Sequence, residues 1–151
     1  MKLGFSAKRD GFDYKKWHNI CDDKGKTLII IQTKDNFIFG GFTQFGWISG
    51  KEDRWTADSK AFLFSIKNPK NDRPQKFPVR KSSQQHAIRY AYDRGPIFGG
   101  DIKLVQNLQP YGMFFGNSYT LPKGISSGTE EAFDYLAGSS PKITELETFF
   151  I

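Results

Sequence analysis

The chain has 151 residues, 38% hydrophobic and 16% aromatic, including 15 phenylalanines. A domain of this length buries roughly 68–70% of the surface its unfolded chain exposes, so composition excludes global disorder and any need for a disulfide or metal to fold. The net charge of +6 is uneven: Ser65–Tyr90 holds seven basic residues against Asp72 alone, and Ser126–Ile151 holds five acids against Lys142.

Cys21 is the only cysteine, so no intramolecular disulfide forms. His18 and His86 lie too far apart for a structural zinc spacing, and neither a metal nor a cofactor is expected. Met1–Asp10 has no apolar run fit for a signal peptide. The longest apolar stretch, Leu28–Ile31, is far too short to span a bilayer. A soluble cytoplasmic or nuclear protein is expected, folding as one domain over residues 1–151, whole or cut from a longer chain.

Along the chain, Tyr14–Cys21 is the best helix. Asp13 is placed to cap it, and Tyr14, Trp17 and Cys21 share a face at i, i+3, i+7. Thr27–Gln32 is a β-branched, nearly all-apolar run of the kind a buried strand needs. Asp35-Asn36 marks a turn, and Phe37–Phe42 returns as the second strand of a hairpin. Gly40-Gly41 there signals a bulge or a close backbone approach.

Ala61–Ile66 is a third strand, followed by the turn cluster Asn68–Pro74. Phe77–Arg80 and Ala87–Tyr92 are the next two strands. Gly95–Gly100 is punctuation around one aromatic. Ile102–Gln106 alternates as a half-buried strand does, and Gly116–Leu121 runs into Pro122, which stops any ladder. Residues 125–136 are weakly helical at best. Ile143–Phe150 closes the chain as a strand, with Ile143, Glu145 and Glu147 on one face. Short strands, frequent Gly/Pro turns and little helix predict a mainly β, two-sheet antiparallel sandwich with a few short flanking helices.

The order of these pieces is more specific than any one of them. The helix and Thr27–Ile31 are followed by Phe39-Gly40-Gly41-Phe42, by Trp47 and Trp55, and by Phe62-Leu63-Phe64-Ser65. The cluster Gly95-Pro96-Ile97-Phe98-Gly99-Gly100 then leads into Asp101-Ile102, and Glu147-Thr148-Phe149 ends the series. This order resembles the TLDc (TBC/LysM-associated) domain family, whose best-known members are the oxidation-resistance proteins, and most of all its protist and plant-like branch. Phe149 stands where the family usually has tryptophan, and the segment Ile66–Lys81 is unusually basic. The resemblance implies two antiparallel sheets with short helices, a role in resistance to oxidative stress, and, as in some animal members, binding to the vacuolar proton pump (V-ATPase). It brings no established catalytic mechanism.

Several constellations carry chemical alternatives. Gly95, Gly99 and Gly100 lack the Lys-Ser/Thr and following helix of a phosphate-binding loop, so tight-turn packing fits them better. Glu145 and Glu147 can share acid/base work, hold a cation with further oxygen ligands, or form an exposed strand face. Of the two, Glu147 matches the family's final glutamate and is the first choice, which leaves a weak enzyme or metal-dependent activity as an alternative. Cys21 is either a reactive thiol assisted by His18 or a buried inert one. Lys67, Lys70, Arg73, Lys76, Arg80, Lys81 and Arg89 form a basic middle that can draw an acidic partner, or a solvated face. Trp47, Trp55, Phe42, Phe45, Tyr111, Phe114 and Phe115 fall in or near expected loops. There they fill the core, anchor a partner or suit a carbohydrate-binding sandwich. No nucleic-acid-binding motif accompanies them.

Overall fold

The computed structural model describes residues 1–50 and 53–151. The chain opens with β1 (Lys2–Ser6), α1 (Ala7–Asp10) and α2 (Tyr14–Cys21), and then forms the hairpin β2 (Thr27–Thr33) and β3 (Ile38–Thr43). β4 (Arg54–Thr56), β5 (Phe62–Lys67), β6 (Gln75–Pro78) and β7 (Ile88–Tyr90) follow, with a 3-10 turn over Lys81–His86 before β7. β8 (Ile97–Phe98), β9 (Ile102–Lys103), α3 (Glu130–Phe133) and β10 (Ile143–Phe150) complete it. Six strands make one sheet in the order β1-β10-β2-β3-β5-β6, with every pair antiparallel. Two ribbons, β4–β7 and β8–β9, lie outside it. The fold is mainly β, as the sequence predicts.

One face of the large sheet carries the core. Thr27, Ile29, Ile31 and Thr33 are buried at alternate positions of β2, while the residues between them are partly exposed. Phe39, Leu63, Phe77 and Leu146 extend that inner face across the sheet. Against it stand Trp17 and Cys21 from α2, Trp47, Phe98 from β8, and Phe115, Tyr119 and Tyr135 from the later loops, all buried. Their rings meet edge to face: Trp17–Trp47 at 5.3 Å, Trp47–Phe98 at 5.4 Å and Phe77–Phe115 at 5.0 Å, the arrangement the ring quadrupole favours. Both buried indoles find a partner on the sheet. Trp17 Nε1 donates to Thr148 Oγ1 and Trp47 Nε1 to Thr27 Oγ1, each at 3.0 Å. Fully buried threonines on the inner face are thereby satisfied.

Several boundaries differ from the expectation. β1 and α1 are additions; Gly4 breaks the Lys2–Ser6 pattern, and the β1–β10 register shifts between Leu3 and Phe5. The strand expected at Ala87–Tyr92 shrinks to Ile88–Tyr90, because the polar run before it coils into the 3-10 turn. Ile102–Gln106 pairs only over Ile102–Lys103, and Gly116–Leu121 contributes a single bridge, Tyr119 to Val79. No bulge lies at Gly40-Gly41, whose pairing with β2 is regular; those glycines serve close approach instead. A Cβ on Gly40 would strike the Ile29 carbonyl and come within 2.8 Å of the Phe64 ring, and one on Gly41 would lie 2.7 Å from Phe98. In β10 the register shifts between Ile143 and Glu145. That shift sends Ile143 into the core and leaves Glu145 and Glu147 on the opposite face, so the three do not share a side.

Candidate functional site

The outer face of the sheet begins with the residues that alternate away from the core. Register pairing aligns Glu147, Ile30, Gly40, Phe64 and Lys76 in one row running from β10 to β6. The next row is Phe149, Leu28, Phe42, Phe62 and Pro78. Side chains directly opposed across antiparallel strands point to the same side, so both rows lie on one surface. Phe42 and Phe62 stack at 5.1 Å, and Lys76 Nζ lies 4.4 Å from the Phe62 ring centroid. Leu28, Ile30, Phe62, Phe64 and Ile66 line an open groove of about 410 Å³ beside Lys76. Ile66 is 44% exposed.

The two glutamates perform different tasks on this face. Glu145 Oε2 accepts from the Ser6 hydroxyl at 2.8 Å, and Oε1 accepts from the Lys8 backbone N–H at 3.0 Å. A third donor is the Leu146 N–H at 2.9 Å. Glu145 therefore holds the start of α1 onto β10. Glu147 is partly exposed and has no ion pair among the described residues. It sits on an open sheet face, with Ile30 opposite, not in a polar pocket. Among the described residues no cluster of three His, Cys, Asp or Glu side chains is placed to hold a metal ion.

The glycine cluster is built around an acid that the sequence pattern did not single out. Asp101 is fully buried and accepts three backbone N–H bonds, from Ser118 at 2.8 Å, Gly116 at 2.9 Å and Tyr119 at 3.2 Å. Burial pushes its carboxyl up to about 6 against the pull of those donors. Gly99, at φ 57°, leaves room for it: a Cβ there would lie 2.8 Å from Asp101 Oδ1 and 2.7 Å from Ser118. Phe98 is buried beneath Gly41, and Gly95 packs against Leu108. A charged residue set directly after a Gly-Gly pair and before an apolar strand was the available signal.

His18, named from the sequence only as a possible aid to Cys21, is instead bonded to other groups. His18 is nearly buried, with Nδ1 2.8 Å from Asp22 Oδ1 and Nε2 2.7 Å from the Arg94 carbonyl and 3.2 Å from that of Ala91. Both ring nitrogens thus face acceptors, which suits the imidazolium. Burial opposes the charge, but the Asp22 carboxylate and the two carbonyls outweigh it and raise the pKa. The i, i+4 spacing of His18 and Asp22 on the expected helix was the clue. Cys21, three residues on, is fully buried, and burial pushes its thiol up to about 12.

The basic residues of the middle segment are spread over several elements. Lys67 ends β5, Lys70 and Arg73 lie in the following turn, and Lys76 is on the outer face of β6. Arg80 and Lys81 begin the 3-10 turn, and Arg89 is in β7. Lys70 pairs with Glu131 at 3.2 Å and Arg89 with Asp53 at 3.4 Å. Lys67, Arg73, Lys76, Arg80 and Lys81 have no ion pair among the described residues. Of the aromatics expected in loops, Trp47 and Phe115 are core, while Phe45, Trp55, Tyr111 and Phe114 are exposed.

A six-stranded antiparallel sheet with a layer of ribbons and short helices on one face, and the Gly-Gly-Asp turn locked beneath it, define a β-sandwich domain of the TLDc type. The TLDc domain model matches residues 1–151, and the chain belongs to that family. It is also similar to the proteins named MTOR-associated protein MEAK7: 31% identical to that of Danio rerio, 34% to that of Xenopus laevis and 32% to that of Gallus gallus, each over 65 residues. Those 65 residues are 43% of this chain and 14% of each relative, so the match spans a small part of the longer proteins.

Proposed function

We propose that this TLDc domain is a protein-interaction module that recruits an acidic partner through the basic surface around β6 and the 3-10 turn. The observation that carries the reading is the set of exposed cations there, Lys67, Arg73 and Lys81, with no carboxylate paired to them among the described residues. An unpaired cationic surface steers an acidic partner and fixes its register, and it gives the complex a strong salt dependence. Family membership and the printed name of the MEAK7 relatives, as proteins associated with MTOR, support an interaction role over a catalytic one.

The domain works as one unit over residues 1–151, in the cytoplasm. Its partner is a V-ATPase subunit, and its role lies in resistance to oxidative stress, as the likeness to oxidation-resistance proteins implies. Among the described residues no helix is long and apolar enough to cross a membrane. The test is affinity capture from cell lysate with the wild-type domain and with the charge reversals Arg73→Glu and Lys81→Glu combined. The wild type is expected to enrich V-ATPase subunits in a salt-sensitive manner and the variant to lose them. Absence of every V-ATPase subunit from the wild-type capture rejects that partner. Equal capture by the variant rejects the basic surface.

A further inference from the structure

The geometry points to a second function for the outer sheet face: we infer that it pairs with the same face of a second copy of this chain, forming a weak two-fold dimer. The sheet has six strands, in the order β1-β10-β2-β3-β5-β6; edge strand β1 overhangs the contact, and β3 is in the middle of the other five. A two-fold axis lying between two such faces and parallel to the strands over β3 exchanges β10 with β6 and β2 with β5. It lays each row on its own copy, reversed.

The row Glu147–Ile30–Gly40–Phe64–Lys76 is self-complementary under that operation. Glu147 of one copy meets Lys76 of the other at both ends of the row, Ile30 meets Phe64, and the two Gly40 positions, each covered by its own Phe64 ring, lie at the centre. The neighbouring row behaves the same way, with Phe149 over Pro78, Leu28 over Phe62 and Phe42 over its own copy. The apolar middle is flanked by one acid and one base at opposite ends. A two-fold interface, in which residue i meets j and j meets i, requires that arrangement. Stacking unlike charges against each other while keeping them off their own kind gives both attraction and register.

Size decides the strength. Five strands about 4.8 Å apart and two side-chain rows about 7 Å apart cover roughly 340 Å² per copy. That is within the size of the apolar patches monomers leave exposed, and well below the roughly 800 Å² per partner of a standard stable interface. The dimer is therefore concentration-dependent. α1, held by Glu145, covers the Glu145 end of the sheet and limits the contact to the rows from Glu147 onward.

Sedimentation velocity of the purified 151-residue chain at loadings from about 5 to about 500 µM reads the monomer–dimer equilibrium in the range expected for an interface of this size. The wild type is expected to shift toward dimer with concentration. Lys76→Glu and Glu147→Lys, each alone, place like charges together and weaken association at least about tenfold, and the double variant Lys76→Glu/Glu147→Lys restores it. Phe62→Asp abolishes dimer while circular dichroism shows the fold retained. A wild type that stays monomeric at the highest loading overturns the proposal and leaves the face as a seat for a segment of a different protein. A double variant no better than either single one overturns the two-fold register. Neither outcome depends on capture of the V-ATPase, which tests a different surface.

Discussion

The Trp17 indole N–H donates to the Thr148 hydroxyl at 3.0 Å, joining residues 131 positions apart in the chain. Both are fully buried, so no water replaces either partner. The bond fixes α2 against β10, the strand that also carries Glu145 and Glu147. Thr148→Val keeps the shape of the side chain and removes the acceptor. An indole N–H left buried and unpaired costs about 1–3 kcal/mol. Urea unfolding is expected to show that loss as a lower midpoint with unchanged slope.

Asp101 is the corresponding tie on the other side of the core. Its two oxygens take N–H groups from Gly116, Ser118 and Tyr119 and hold that segment over the Gly99-Gly100 turn. Asp101→Asn puts an NH₂ where at least one N–H donor points. One broken charge-assisted bond and one orphaned donor give an expected loss of about 2–3 kcal/mol. Hydrogen exchange is the sharper measurement: protection is expected to fall at Gly116, Ser118 and Tyr119 before it falls in β2.

Strands whose side chains decide their own burial were legible in the sequence. Thr27–Gln32, Ala61–Ile66 and Ile143–Phe150 stand within a residue or so of β2, β5 and β10, because β-branched and aromatic runs leave few alternatives. β1 was not legible, since Lys2–Ser6 is a strand only by pairing with β10, which no local pattern announces. The same holds for the face of Glu145 and Glu147. Simple alternation groups them with Ile143, and the one-residue slip after Ile143 reverses that relation. The role of Asp101 was hidden for a related reason: its donors lie 15 to 18 residues away, and of the groups that hold His18 only Asp22 is local, the two carbonyls lying 73 and 76 residues away. The aromatic series divided by depth, with Trp47 in the core and Tyr111 at 68% exposure, and loop composition does not encode depth.

Cys21 offers a direct test of thiol chemistry as a basis for the proposed role in oxidative stress. Its thiol is fully buried and raised to about 12, chiefly by desolvation, so almost no thiolate exists at neutral pH and no oxidant reaches it. Ellman's reagent is expected to label no cysteine in the native protein and one per chain in denaturant. Cys21→Ala is expected to leave peroxide protection in cells unchanged and to cost stability through lost packing. Rapid native labelling would contradict the burial.

His18 sets a pH window for stability. Its folded pKa lies above the ordinary 6.5, so its contribution is fully present below 6.5 and is lost as pH rises through the elevated folded value. The groups that face it are Asp22, the residue that ends its own helix, and the carbonyls of Ala91 and Arg94 on the loop against it. Lys15 and Asp23 line the adjoining groove. Asp101, raised from 3.8 to about 6, has its own contribution lost between those values, below the His18 window. Melting temperature is therefore expected to fall as pH rises above 6.5 in the wild type. Asp22→Asn removes the carboxylate that holds the proton and is expected to lower the His18 pKa and flatten that slope. Titration of the His18 ring by NMR in both proteins checks it. Equal pKa values would mean that the two backbone carbonyls alone keep the ring charged.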